Sequence, residues 1–223
     1  LKIRPGEKVA LVGPSGGGKT TLCNLIPRFY DVQEGEVLVD GVNVKDYDRK
    51  TLRKKIGYVP QKALLFKGTI MENIRFGDDS ASDERVKEAA AIAQSTDFIE
   101  DKPEGFDSFI AQGGSNVSGG QRQRLAIARA IVRKPEIYVF DDSFSALDFK
   151  TDSALRQALA RETENATVVI VAQRVSTIMN ADRIIVMDEG KVMGIGTHRE
   201  LLNTCETYQE IVRSQLSEEE MSA

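Results

Sequence analysis

Much of what marks a secreted, membrane-embedded or nucleic-acid-binding protein is scarce in this 223-residue chain. Its two cysteines, Cys23 and Cys205, form neither a disulfide framework nor a metal-ligand spacing, which fits a reducing compartment. No apolar run nears the roughly 18 residues of a bilayer span. No signal-peptide pattern follows Leu1. Positive charge is not in excess: the net charge is −4, which gives no electrostatic footing for nucleic acid. Internal repeats and low-complexity segments are absent, and histidine occurs once, at His198. What is present, 41% hydrophobic and 29% charged residues, is the make-up of a globular domain long enough to bury a core. The chain reads as a soluble piece of a longer polypeptide.

Short apolar runs alternate with helical patterns, which predicts an α/β core around a parallel sheet. Val9–Val12, Ile56–Val59, Ile137–Phe140, Thr167–Ala172 and Ile184–Met187 read as strands, with Lys191–Ile195 as a hairpin partner for the last. Asp40-Gly41, between Glu36–Val39 and Val42–Val44, is a hairpin-turn signal. Helices are predicted from Thr20 to about Phe29, with Pro27 weakening the last turn, from Ser82 to about Gln94, and from Ser118 to about Val132. Others are predicted over Lys150–Arg161, near Ser176–Met179 and over Arg199–Gln215, and the acidic Ser217–Met221 tail is expected to fray. The stretch from about 64 to 134 is expected to be a mostly helical insertion in a core made of about 1–63 and 135–223.

Gly13-Pro14-Ser15-Gly16-Gly17-Gly18-Lys19-Thr20 fits the phosphate-loop pattern. Four glycines leave backbone N–H groups free to converge on phosphate oxygens. A lysine at a helix N-terminus meets a like-signed dipole end, a conflict that an anionic ligand removes. Thr20 offers a hydroxyl to magnesium, and Thr21 follows it in the same turn. Farther on, Asp141 ends an apolar strand, the place where parallel sheets bind ligands and a metal-holding acid is expected. Asp142 is then the candidate to orient or deprotonate an attacking water. Ser118-Gly119-Gly120-Gln121 can be read as a plain capping box. Two glycines in a first helical turn weaken it, though, and they leave its N–H groups open to a phosphate. The arrangement points to a magnesium-bound nucleoside triphosphate.

Together these segments resemble the nucleotide-binding domain of ABC transporters, over nearly the whole chain. Gly13 to Thr20 resembles the Walker A loop, Gln61 the Q-loop glutamine, and Val117 to Gln121 the family signature. Ile137 to Asp141 resembles Walker B, and Ser145-Ala146-Leu147-Asp148 the D-loop. Leu65 to Ile70 and Gly196 to Leu201 look most like exporter domains. The resemblance implies a P-loop NTPase core with a mostly parallel sheet, an antiparallel β segment and a helical subdomain. It implies ATP and Mg2+ as ligands, with the metal held by Thr20, Gln61 and Asp141. It also implies a transmembrane domain, N-terminal in the same polypeptide, with this domain on the cytoplasmic side of the cell membrane as part of a membrane transporter. Two such domains sandwich two ATPs, each signature completing the partner's site; no nucleic-acid partner is implied.

Two positions depart from the family pattern. Glu normally follows the Walker B Asp, and the switch residue before Arg174 is normally His; here they are Asp142 and Gln173. Asp is one methylene shorter, and Gln carries no positive charge although it can still hydrogen-bond a phosphate. A general base contributes about 10²- to 10⁴-fold, so the pair resembles the degenerate, slowly hydrolysing half of heterodimeric exporters. Two alternatives stand beside that reading: an active ATPase domain of a homodimeric transporter, and a non-transport ABC ATPase. The aromatic residue that stacks on adenine in the family would lie upstream of Leu1. Phe29 and Tyr30 read as helix packing, His198 as a capping or surface residue, and Cys23 as a buried apolar one. Arg122, Gln123 and Arg124 read as a solvated helix face, and Met179, Met187 and Met193 as core.

Overall fold

A computed structural model describes residues 1–215; the expected fraying of Ser217–Met221 lies outside them. In chain order the first elements are β1 (Lys8–Val12), α1 (Lys19–Leu25), β2 (Leu38–Val39), β3 (Val42–Asn43), α2 (Arg49–Lys54) and β4 (Ile56–Val59). A middle stretch holds β5 (Gly68–Thr69), α3 (Ile70–Arg75), α4 (Asp83–Ile92), α5 (Thr96–Glu100), β6 (Phe109–Ile110) and α6 (Gly119–Val132). The last part runs through β7 (Ile137–Asp141), α7 (Phe149–Glu162), β8 (Thr167–Val171), α8 (Val175–Ile178), β9 (Arg183–Asp188), β10 (Lys191–Gly196), α9 (His198–Thr204) and α10 (Glu206–Arg213). No described helix is long and apolar enough to cross a membrane.

Six strands make the main sheet in the order β10-β9-β1-β8-β7-β4. All neighbouring pairs are parallel except β9 with β10. The central strands are apolar runs because both faces are covered by helices: Val9 to Val12 and Tyr138 to Phe140 are buried throughout. One apolar cluster ties α3, α4 and α6 to β7 and α7, through Ile74, Val86, Leu125, Ile131, Tyr138 and Leu155. A second fills the opposite face around Leu11, Cys23, Leu52 and Val169. A third joins the ends of β1 and β9 to α8, α9 and α10 through Val12, Val175, Ile178, Val186, Leu201, Tyr208 and Val212.

Local chemistry sets the boundaries. Asp40 and Gly41 both have positive φ, 51° and 77°, the turn expected for that dipeptide, although the paired flanks are only two residues each. Capping boxes open α3 (Thr69, Glu72), α6 (Ser118, Gln121) and α9 (Thr197, Glu200). Ser82 and Asp148 cap α4 and α7.

Several expectations need correction. Helix α1 stops at Leu25, two residues before Pro27, which has no N–H to extend it. Phe29 instead meets Tyr58 edge-on at 5.2 Å, while Tyr30 is exposed. The C-terminal helix is broken at Cys205, whose extended backbone (φ −125°) lets both Leu201 and Tyr208 reach the core. Met193 is exposed because the β9–β10 register shifts between Val192 and Gly194, leaving it at the bulge. His198 neither caps nor lies free: Thr197 caps α9, and His198 Nδ1 sits 2.7 Å from Tyr208 Oη. Arg122, Gln123 and Arg124 are cross-links rather than a solvated face. Arg122 donates to the Gly113 carbonyl and buried Gln123 to the Pro60 carbonyl. Arg124 donates to the Gln94 carbonyl and lies over the Phe98 ring.

Candidate active site

Four adjacent parallel strands, β1, β8, β7 and β4, bring their carboxyl ends to one edge. The residues just past those ends are the phosphate loop, Gln173, the Asp141–Asp142 pair and Gln61. They line a cleft of about 390 Å³ together with Ile211, Ser214 and Gln215.

The loop's glycines do two different jobs. At Gly13 (φ 153°) an added Cβ would fall 1.9 Å from the Met187 carbonyl oxygen, and at Gly17 it would fall 3.1 Å from that same atom. These two let the loop lie against β9, and Gly190 N–H donates to the Gly17 carbonyl across the β9–β10 turn at 3.2 Å. At Gly16 (φ 80°) there is open space, so the glycine serves backbone conformation. Gly18 (φ 95°) starts α1 with no side-chain cap, which leaves the helix start free for an anion. Lys19 Nζ donates to the carbonyls of Gly13 at 2.8 Å and Pro14 at 2.7 Å. Burial lowers its pKa, and the nearby carboxylates of Asp142, Asp141 and Asp188 oppose that.

Asp141 is buried and accepts from Thr20 Oγ1 at 3.0 Å. Tyr58 Oη, on neighbouring β4, is 2.8 Å from Asn24 Oδ1 and 3.3 Å from Asp141 Oδ2. Sequence reasoning missed Tyr58 and Asn24; their only signal is a position in β4 and in α1 facing the Walker-type acid. A hydroxyl beside a carboxylate is a hard, all-oxygen donor pair, which fits magnesium. Among the described residues no group of three or more His, Cys, Asp or Glu is placed to hold a metal.

Asp142 is buried and left-handed (φ 47°), a conformation Asp tolerates better than most residues. Its N–H is fixed by the Val171 carbonyl at 2.9 Å. Its Oδ2 accepts from two amides at once: Gln61 Nε2 at 3.0 Å and Gln173 Nε2 at 2.8 Å. Burial pushes its pKa up; the two amide bonds pull it down, Asp141 pushes it up and Lys19 pulls it down. The residues expected from three separate segments thus meet on one carboxylate oxygen.

Ser118-Gly119-Gly120 lies elsewhere and lines no part of this cleft. Ser118 Oγ accepts from Gln121 N–H and Gln121 Oε1 accepts from Ser118 N–H, both at 3.1 Å. Ser118 and Gly119 are exposed, and an added Cβ on Gly119 would meet nothing within 4 Å. Gly120 faces the carbonyl of Ala146 in the next loop. In that loop Ser145 Oγ donates to the Asp142 carbonyl at 3.1 Å, Leu147 is buried, and Asp148 accepts from Thr151 N–H at 2.9 Å.

Comparison with known proteins agrees with this architecture. A family profile described as ABC transporter matches residues 1–145. An uncharacterised ABC transporter ATP-binding protein of Mycobacterium tuberculosis is 48% identical over 218 residues, covering 96% of this chain and 37% of that protein. The ATP-dependent lipid A-core flippase of Desulfotalea psychrophila is 46% identical over 209 residues, 94% of this chain and 36% of the flippase. Among solved structures, a bacterial Atm1-family ABC exporter with ATP bound superposes with a TM-score of 0.94 at 39% identity, over 98% of this chain and 38% of that one. The chain spans little more than a third of the length of these relatives.

Proposed function

Starting from the premise that this chain belongs to the ABC transporter family and is an ATPase domain of that type, we propose that its own nucleotide site binds Mg-ATP and turns it over slowly, while its signature serves a partner's site. The observation that carries this is the Asp142 carboxylate, held by the amides of Gln61 and Gln173 at the phosphate cleft. A carboxylate one methylene short of Glu reaches less far toward an attacking water. The Gln173 amide can donate a hydrogen bond but cannot exchange a proton near neutral pH.

In this reading Lys19 trades the carbonyls of Gly13 and Pro14 for phosphate oxygens, a charge-assisted contact. Thr20 and Asp141 hold the magnesium, with Gln61 near it. The ion's chemistry is to neutralise charge on the phosphates. Gln61 and Gln173 are freed from Asp142 as they turn to the nucleotide. The exposed Ser118-Gly119-Gly120 helix start, away from the chain's own cleft, meets the γ-phosphate held by a second nucleotide-binding domain. A different chain fits that partner best, since a degenerate site needs a competent one beside it. Residues about 64–134 form the signature-bearing lobe, and 1–63 with 135–223 the nucleotide-binding core. The remaining two thirds of such a polypeptide would supply the membrane domain, with this domain on its cytoplasmic side, driving export.

The test is the double change Asp142→Glu with Gln173→His in the assembled dimer. ATP turnover at this chain's own site should rise by about a hundredfold or more, the lower end of general-base contributions. Turnover at or below the parent's would place the defect elsewhere and sink the slow-site reading.

A further inference from the structure

The turn that carries Gln173 runs from the end of β8 into α8, a helix of four residues with no side-chain cap of its own. So short a helix cannot hold its own position. Two other elements hold the turn. Arg156 of α7, paired with buried Asp152 at 3.1 Å, donates to the Ser176 carbonyl at 2.9 Å. From the other side Gln215, just past α10, makes two hydrogen bonds to the backbone. Its Nε2 donates to the Gln173 carbonyl at 2.6 Å and its Oε1 accepts from Val175 N–H at 2.9 Å.

We propose that Gln215 is a positioning residue for the nucleotide site: it fixes where the Gln173 side chain stands and so sets the preference for ATP over ADP. The proposal rests on the reading of Gln173 as the residue that meets the γ-phosphate. A single primary amide supplies one donor and one acceptor in one plane, and this backbone segment presents one acceptor and one donor to match. Asn would be a methylene short. Glu would keep the acceptor and lose the donor. The amide also caps α8 from outside, since Val175 begins that helix.

Packing explains why Gln215 arrives there. Tyr208 and Val212 of α10 are fully buried in the same cluster as Ala172, Val175 and Ile178. Tyr208 is further tied to His198 at 2.7 Å. The helix is therefore docked on the back of the switch turn, and its end, with Ile211 and Ser214, forms a wall of the phosphate cleft. Gln173 thus touches Asp142 through its side chain and Gln215, just past α10, through its backbone. A shift of α10 is a shift of Gln173.

Calorimetric titration of the chain with Mg-ATP and Mg-ADP tests this, because the ratio of the two affinities isolates the γ-phosphate. Gln215→Ala should cut the ATP-over-ADP ratio by about fivefold, the weight of one hydrogen bond, with ADP affinity close to the parent's. Gln215→Glu should behave like Gln215→Ala. Gln173→Ala should lose the ratio as well, and adding Gln215→Ala to it should lower the ratio no further. Amide exchange at Val175 should quicken in Gln215→Ala. The proposal is overturned if Gln215→Ala keeps the parent's ratio, if it weakens ATP and ADP alike, or if its effect persists undiminished without Gln173. A parent with no ATP preference would overturn it too. A parent that binds neither nucleotide would instead refute the nucleotide-site reading on which it stands.

Discussion

Replacing Gly13 with Ala tests the close approach of the phosphate loop to β9. The added Cβ would stand 1.9 Å from the Met187 carbonyl oxygen, where real contacts stay beyond 3.0 Å. The obstacle is backbone, not a side chain that can swing away. Val12 is paired with Val186 one residue before the clash, so relief means prising β1 from β9 at their carboxyl ends. Overpacking of this kind costs about 1–3 kcal/mol. The backbone at φ 153° adds about 1–3 kcal/mol for any residue with a Cβ. The expected loss is about 4 kcal/mol, a large share of the roughly 5–15 kcal/mol that holds a domain together. In urea, with a slope of about 2–3 kcal/mol/M, the unfolding midpoint should fall by about 1.5 M. Gly16→Ala is the control: its φ is 80° but nothing lies within 4 Å, so only the left-handed penalty of about 1–2 kcal/mol applies. If Gly13→Ala lost less than about 1 kcal/mol, or no more than Gly16→Ala, the packing argument would be wrong.

Two further outcomes are expected. Burial raises the pKa of Asp142 above its ordinary value of 3.8, so between the two values the native state holds more protons than the unfolded chain. Stability attributable to this group therefore falls as pH rises through that window. Asn at 142 keeps an acceptor for both glutamine amides, so Asp142→Asn should melt higher than the parent at pH 7. That gain should shrink to nothing as the pH drops below 3.8; a gain that grew on acidification would reverse the sign and refute the account. Ser118→Arg should cost about 1 kcal/mol for the lost cap and also stop ATP turnover in the assembled dimer. Near-parent turnover would reduce Ser118-Gly119-Gly120 to a helix cap and remove the sandwich reading.

The alternation of apolar runs and helical patterns made the α/β class legible, because strands buried on both faces have no polar alternation to confuse them. The phosphate loop was legible too, since its spacing is dictated by the ligand rather than by neighbours. What stayed hidden depends on contacts remote in sequence. Gly13 and Gly17 look like their neighbours Gly16 and Gly18 until β9 is placed beside them. Arg122-Gln123-Arg124 reads as a charged surface, yet each side chain reaches a carbonyl on another segment. The break at Cys205 has no proline or glycine to announce it. Gly194 leaves room for it: an added Cβ there would stand 3.0 Å from Cys205 Sγ, a closeness visible only once the strand is placed beside the helix. Gln215 had no motif at all.

The order of the sheet also bears on how the chain is made. β1 is made before every other strand of the sheet, yet both its neighbours, β8 and β9, follow only after β4 and β7. At about 5–20 residues per second, the ribosome needs on the order of ten seconds or more after releasing β1 to deliver them. Throughout that interval Lys8-Val9-Ala10-Leu11-Val12 is an apolar strand with two bare edges, the kind of segment that chaperones hold and that aggregates when they do not. The phosphate loop, which leans on Met187 and Gly190, cannot settle before then either. Nucleotide binding is therefore a property this domain acquires only after β9 and the turn that follows it have been made.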